Sequence, residues 1–253
     1  MEQFGATLRD WRKIRRMSQL DLGLTANVSA RHISFLETGR ARPSREMILQ
    51  LAAVLDVPRQ SRNTMLTMAG FAAPYQHQDL ADDDMARVRA AIDWTIGRHA
   101  PFPAMVLDRM WRLVAANDTA TTLLSGLGIR VGTCVLDPVL VPGRAAAMFD
   151  NWGEVGRLTA TRLRTESAHA GGIPELTAMA ARIEADPAVA NYPIPAQFPA
   201  VIPARYRFGD QVLSLFSTIA QFGSAEDIAL ADLRIELMFP ADAVTENLLR
   251  GLS

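Results

Sequence analysis

Apolar residues at the start of the chain recur every three or four positions, the spacing that lines one face of an α-helix. Phe4, Leu8, Trp11 and Ile14 make the first such stripe, with Arg9, Arg12, Lys13, Arg15 and Arg16 covering the rest of the same helix. Leu22 and Ala26 make a shorter one behind Ser18, a side chain suited to accept hydrogen bonds from the free N–H groups of a helix start. Ser29 opens a third helix in the same way, and Val28, Ile33 and Leu36 supply its inner face. Pro43 and Ser44 lead into a fourth, carrying Ile48, Leu51, Ala52 and Leu55, with Pro58 soon after its end. A fifth spans residues 62–69 and stops at Gly70. The stretch AAPYQHQDLADDD that follows has no period and reads as a linker, its Asp82, Asp83 and Asp84 serving as caps for the next helix rather than as a cation site. That helix carries Met85, Val88, Ile92 and Ile96 on one stripe, with Trp94 off it.

The period then changes. Residues 104–107 and 111–115 read as strands joined by a turn at Asp108, Arg109 and Met110, and Asn117 is placed to cap a helix over 119–124. Far downstream, residues 201–208, 211–221 and 233–238 read as strands again, separated by turns at Gly209–Asp210 and Gly223–Ser224. A helical insert at about residues 150–186 lies between the second strand and the third. The expected fold class is α+β: an all-α bundle of five helices, then an antiparallel sheet of five strands with a helical insert.

Several features of the bundle point to DNA. Asn27 sits at the corner between the second and third helices, where a left-handed backbone is required and Asn tolerates it. Gly23 has almost no side chain, which lets the next helix pass close by. Ala30, Arg31 and Ser34 point outward from the third helix. Cap, short helix, tight corner, cap and a second helix with an outward Arg is the layout of a helix-turn-helix, whose second helix enters the major groove. Charge agrees: up to Arg62 there are eleven basic residues against six acidic ones, whereas the remainder holds fifteen against twenty-one. Positive charge gathered in one segment suits phosphate, and an acidic partner domain does not.

Residues 4–57 resemble the bacterial XRE type of helix-turn-helix, in the broad group of phage repressor DNA-binding domains. The resemblance implies that residues from Ser29 onward enter the groove, with Ala30, Arg31 and Ser34 on bases. It also implies that Gln19 supports a phosphate contact and that Arg40, Arg42 and Arg45 lie near phosphates. Gly23 stands where such domains usually carry Ala, and Asn27 where they usually carry Gly. The strand, tight turn, strand and Asn-capped helix resemble the opening of a PAS domain. The order of parts over nearly the whole chain resembles XRE regulators with a C-terminal MmyB-like ligand-binding domain. RHISFLETGRARPSREMILQLA (31–52), RNTMLTMAGFAAPY (62–75), VLDRMWRLVAAN (106–117), NWGEVGR (151–157) and ELMFPAD (236–242) carry that resemblance. It implies a DNA-binding domain over 1–72, a linker over 73–83 and a PAS-like domain over 84–253 that binds an apolar, fatty-acid-like effector. The mechanism expected from these parts is a homodimer on half-sites about one helical turn apart, with ligand occupancy transmitted through residues 59–84.

Trp111, Phe149, Trp152, Phe198 and Phe216 are the aromatic candidates for the ligand cavity, and Arg112 or Arg162 the candidate for a bidentate grip on a carboxylate. The single cysteine, Cys134, allows no internal disulfide and fits a reducing interior. The N-terminus runs straight into a charged helix and no apolar run reaches the ~18 residues of a membrane span, so a soluble cytoplasmic protein without membrane partners is expected. His32, His77, His99 and His169 lack metal-ligand spacing, no Gly-x-Ser-x-Gly elbow is present, and Gly126, Gly128 and Gly132 miss the dinucleotide spacing. Neither catalysis nor a metal site is expected, and no cofactor beyond a bound lipid. Two rival readings stand beside this one: a haem or flavin sensor with His99 or His169 on iron, and a second domain that only dimerises.

Overall fold

A computed structural model describes residues 2–73, 85–193, 201–221, 230 and 232–251. Five helices open it: α1 (Glu2–Ile14), α2 (Gln19–Thr25), α3 (Ala30–Glu37), α4 (Arg45–Val54) and α5 (Arg59–Met68). Each predicted serine cap is in place. Ser18 Oγ accepts from Asp21 N at 3.0 Å while Asp21 Oδ2 accepts from Ser18 N at 2.9 Å, a reciprocal box that satisfies two orphan donors. Ser29 Oγ accepts from His32 N at 3.2 Å and Ser44 Oγ from Met47 N at 3.1 Å. Asn27 adopts φ 52°, the left-handed corner expected of it. Phe4, Leu8, Leu22, Ile33, Leu36, Ile48, Leu51, Leu55, Met65 and Leu66 close into one fully buried core, so the apolar stripes meet as their periodicity predicts. One boundary moves. The fifth helix starts at Arg59 rather than at residue 62, because Pro58 is its N-cap residue and not merely the end of what precedes it. A missing N–H costs nothing at a helix start.

By its contacts the chain divides into two units, Met1–His77 with Arg164–Thr177, and Gln78–Leu163 with Ala178–Ser253. The second unit is built on five strands: β1 (Ala104–Leu107), β2 (Leu113–Ala116), β3 (Ala204–Phe208), β4 (Gln211–Ala220) and β5 (Arg234–Pro240). They pair antiparallel in the order β2-β1-β5-β4-β3, so the last strand fills the centre between the first and the fourth. The remaining helices are α6 (Ala86–Arg98), α7 (Asp118–Gly126), α8 (Arg144–Met148), α9 (Trp152–His169), α10 (Pro174–Glu184), α11 (Pro187–Ala190) and α12 (Ala243–Gly251), with a 3₁₀ turn at Asp137–Leu140. Asn117 does more than cap α7. Its Oδ1 accepts from Ala120 N at 3.0 Å and Ala104 N at 3.1 Å, while its Nδ2 donates to Phe102 O at 2.8 Å and Ile96 O at 3.1 Å. One buried amide therefore ties α6, β1 and α7 together.

Other boundaries differ from the sequence reading. The second strand begins at Leu113, not at Trp111, because Asp108 Oδ1 accepts from Met110 N (2.7 Å) and Arg112 N (2.9 Å) and winds the intervening chain into a turn. Trp111 lies in that turn at φ 61°. The third strand begins at Ala204 rather than at residue 201, and the fifth runs through Phe239 and Pro240. The helical insert reaches from Asp137 to Ala190, beyond the expected 150–186 at both ends. Helix α12 was not expected; Asp242 Oδ1 caps Thr245 N at 2.7 Å, and Thr245 Oγ1 accepts from Ser214 N of β4 at 2.9 Å. Most of the linker over 73–83, with Asp82, Asp83 and Asp84, and the turn at Gly223–Ser224 lie outside the described residues.

Candidate functional site

The helix-turn-helix is held by two close approaches and one buried ion pair. A Cβ on Gly23 would stand 2.6 Å from the carbonyl oxygen of Val28, which is the tight corner its small size serves. A Cβ on Gly5 would stand 2.5 Å from the carbonyl oxygen of Glu37, so α1 rests backbone-to-backbone on the end of α3. There the Glu37 carboxylate, with its side chain 1% exposed, accepts from Arg12 Nε (2.6 Å), Arg12 Nη2 (2.9 Å) and Gln19 Nε2 (2.8 Å). Arg9 Nε lies 3.6 Å away. Burial alone would raise the Glu37 carboxyl; the hydrogen bonds from Arg12 and Gln19 and the charges of Arg12 and Arg9 overcome it and hold the group below the usual range. The resemblance implies that Gln19 supports a phosphate contact; its amide here donates to Glu37.

Of the other residues assigned to DNA, Arg31 is exposed on α3, with Ala30 and Ser34 half-buried beside it. Ser29 caps that helix. Arg40, Arg42 and Arg45 are exposed on the turn after α3 and the first residue of α4, and none of the three has an ion-pair partner among the described residues.

In the second unit an apolar chamber of about 250 Å³ opens between the sheet and the helices after it. Trp111, Phe149, Trp152, Arg162 and Phe216 all line it, bringing together five of the seven candidates. Arg112 is not among the chamber's lining residues: it is exposed, and its Nη1 donates to the Gly132 carbonyl at 3.5 Å, while Trp111 beside it lines the wall. Phe198 lies outside the described residues. The wall also holds residues that sequence reasoning missed, chiefly Met105, Met148, Tyr206, Leu215, Glu236 and Met238. Strand alternation through Tyr206 and Leu215 was the available signal. A smaller cavity of about 90 Å³ adjoins it, sharing Met105, Leu124, Leu127, Met148, Tyr206, Leu215 and Met238 and continuing to Leu123 and Phe208.

Among the described residues, charge enters the chamber at one place. Arg162 Nη2 donates to Glu236 Oε1 at 2.8 Å, and its guanidinium lies 4.5 Å from the centroid of the Trp111 ring. Arg234 lies over the same ring at 4.2 Å and its Nε is 3.8 Å from Glu236 Oε1. Burial pushes the Tyr206 phenol well above its ordinary value, and the Glu236 charge adds to it, so the wall presents a neutral hydroxyl there. The Trp152 indole Nε1 is buried with no hydrogen-bond partner among the described residues. Among the described residues no histidine lines the chamber: His99 Nε2 lies 2.7 Å from the Met238 carbonyl oxygen, and His169 ends α9, exposed. Burial raises the Cys134 thiol, which favours its protonated form. Among the described residues no cluster could hold a metal ion, and no helix is long and apolar enough to cross a membrane.

Residues 3–65 match the family model of a helix-turn-helix domain. Residues 88–252, more than half of the chain, match that of the MmyB-like transcription regulator ligand binding domain. A comparison with curated proteins gave no match. Both matched domains are typical of transcription regulators rather than of enzymes. The chain therefore belongs to the MmyB-like transcription regulators, joining a helix-turn-helix for DNA to a domain for a small-molecule ligand.

Proposed function

We propose that the protein is an XRE-type regulator whose PAS-like second domain takes a long-chain carboxylic acid and whose DNA affinity depends on that occupancy. The chamber carries this reading: it is walled by Met, Leu and aromatic side chains, and its charged wall groups are Arg162 and Glu236. An apolar chain with one anionic head suits this wall because Arg162 and Arg234 both stand by Glu236 and Trp111, two cations to one carboxylate. Its tail fits the adjoining cavity toward Leu123 and Phe208, and its head fits Arg162, whose planar fork pairs with carboxylates bidentately. The buried Trp152 N–H is a further donor for an oxygen of the occupant, since a buried donor without an acceptor is costly. On the DNA side, two copies present α3 to successive major grooves, with Arg31 on a base edge and Arg40, Arg42 and Arg45 along the phosphates.

The test is direct. The purified protein is extracted and any bound lipid identified by mass spectrometry, and its thermal midpoint is followed with sodium palmitate and with hexadecanol. Palmitate at a hundredfold excess over its Kd should raise the midpoint by about 5–10 °C. Arg162→Met should erase the advantage of palmitate over the alcohol. A protein that extracts empty and gains nothing from either compound contradicts the reading. Visible absorbance tests the haem or flavin alternative, and a coloured sample favours it.

A further inference from the structure

The Arg31 guanidinium lies over the ring of Phe35, 5.2 Å from its centroid. The two residues are one turn apart on α3, the i,i+4 spacing at which helical side chains meet. Arg31 is exposed and Phe35 half-buried, so part of the ring is covered and part is left to carry a partner. The Phe35 backbone is fixed as well: its carbonyl accepts from the N–H of Arg40 at 2.8 Å and of Ala41 at 3.2 Å.

Two arginines of this bundle are held in opposite ways. Arg12 commits its Nε, Nη1 and Nη2 to Glu37 and to the Met17 carbonyl, which makes it a structural clamp. Arg31 rests on a ring face, which restrains the guanidinium through its charge and leaves its N–H donors available. A long side chain on an open helix loses rotamer freedom when it docks on a base edge, and a group already restrained near its working position loses less. Restraint that leaves the donors available serves a residue that must form a bidentate contact with a base.

We propose that Phe35 is a positioning residue for base reading: its ring pre-sets Arg31 on the exposed face of α3 and so sharpens discrimination between the operator and other duplex DNA. This rests on the reading of α3 as the groove helix and of Arg31 as a base contact.

The experiment uses the full-length protein. It first selects its own operator from a randomised duplex pool, and Kd is then measured by fluorescence anisotropy on that operator and on a scrambled duplex. The variants are Phe35→Leu, Phe35→Met, Phe35→Tyr, Arg31→Ala and the double substitution Arg31→Ala with Phe35→Leu. Phe35→Leu and Phe35→Met should each lower the operator-over-scrambled ratio about two- to fivefold, while affinity for the scrambled duplex and its salt dependence stay unchanged. Phe35→Tyr, which keeps the ring, should restore the ratio. In the Arg31→Ala background Phe35→Leu should have no further effect. The proposal is overturned if both ring-less variants keep the wild-type ratio, or if Phe35→Leu costs as much without Arg31 as with it. The underlying assignment fails in a different way: Arg31→Ala itself would leave the ratio untouched, and the positioning role would fall with it.

Discussion

At the residue scale, Glu37 is the most consequential side chain of the reading bundle. It is buried at the end of α3 and joined to α1 by Arg12 and to the start of α2 by Gln19. Removing one partner of such a pair leaves the other charge uncompensated, so Glu37→Ala should cost about 3 kcal/mol. The sign of the pH effect follows from the direction of the shift. The folded carboxyl titrates below its ordinary 4.5, so its contribution is fully present above that pH and is lost as pH falls through the folded value. Thermal midpoints of the wild type and of Glu37→Gln should differ at neutral pH and converge as the wild-type carboxyl is protonated in acid; curves that stay parallel through that titration would contradict this. The pair was not legible in the sequence, where the resemblance gives Gln19 a supporting role at a phosphate and nothing marks a partner for Arg12. A bridge between residues 12 and 37 depends on how α1 folds back, which no local pattern encodes.

At the scale of elements, local chemistry was read well and long-range closure was not. Serine caps, the Asn27 corner, the Asn117 cap and the first strand needed only neighbouring residues to be understood, and they stand where their side chains predicted. Residues 111–115 read as one strand, yet Asp108 bends the chain at its start and Trp111 becomes part of the cavity wall. Helix α12 was missed because what holds it, Thr245 on the Ser214 N–H, lies on a strand far away in sequence. Glycine makes the same point testably. Gly5 and Gly97 both sit within helices, but a Cβ on Gly5 would press on the Glu37 carbonyl at 2.5 Å while one on Gly97 meets nothing within 4 Å. Gly5→Ala should therefore destabilise by about 1–3 kcal/mol, and Gly97→Ala should stabilise by about 0.5–1 kcal/mol. Urea unfolding of both variants checks the pair, and equal effects of one sign would refute the close approach of α1 to α3.

At the scale of the whole molecule, the chain carries a basic reader and an acidic sensor whose near-cancelling charges hide the division in the total. Five of seven cavity candidates found the same chamber because large aromatics and an inward Arg are rare enough to mark it, whereas its Met and Leu walls look like any core. A ligand changes DNA affinity only as far as it prefers one arrangement of the protein over another, typically a coupling of about 1–3 kcal/mol. That coupling is the central claim, and one titration reads it. Operator affinity of the full-length protein is measured by anisotropy without palmitate and with palmitate at a concentration that saturates its thermal shift, for the wild type and for Arg162→Met. The account predicts a Kd that moves about 5- to 150-fold in the wild type and much less in the variant. Palmitate that binds the wild type and leaves its operator Kd within a factor of about two would contradict it.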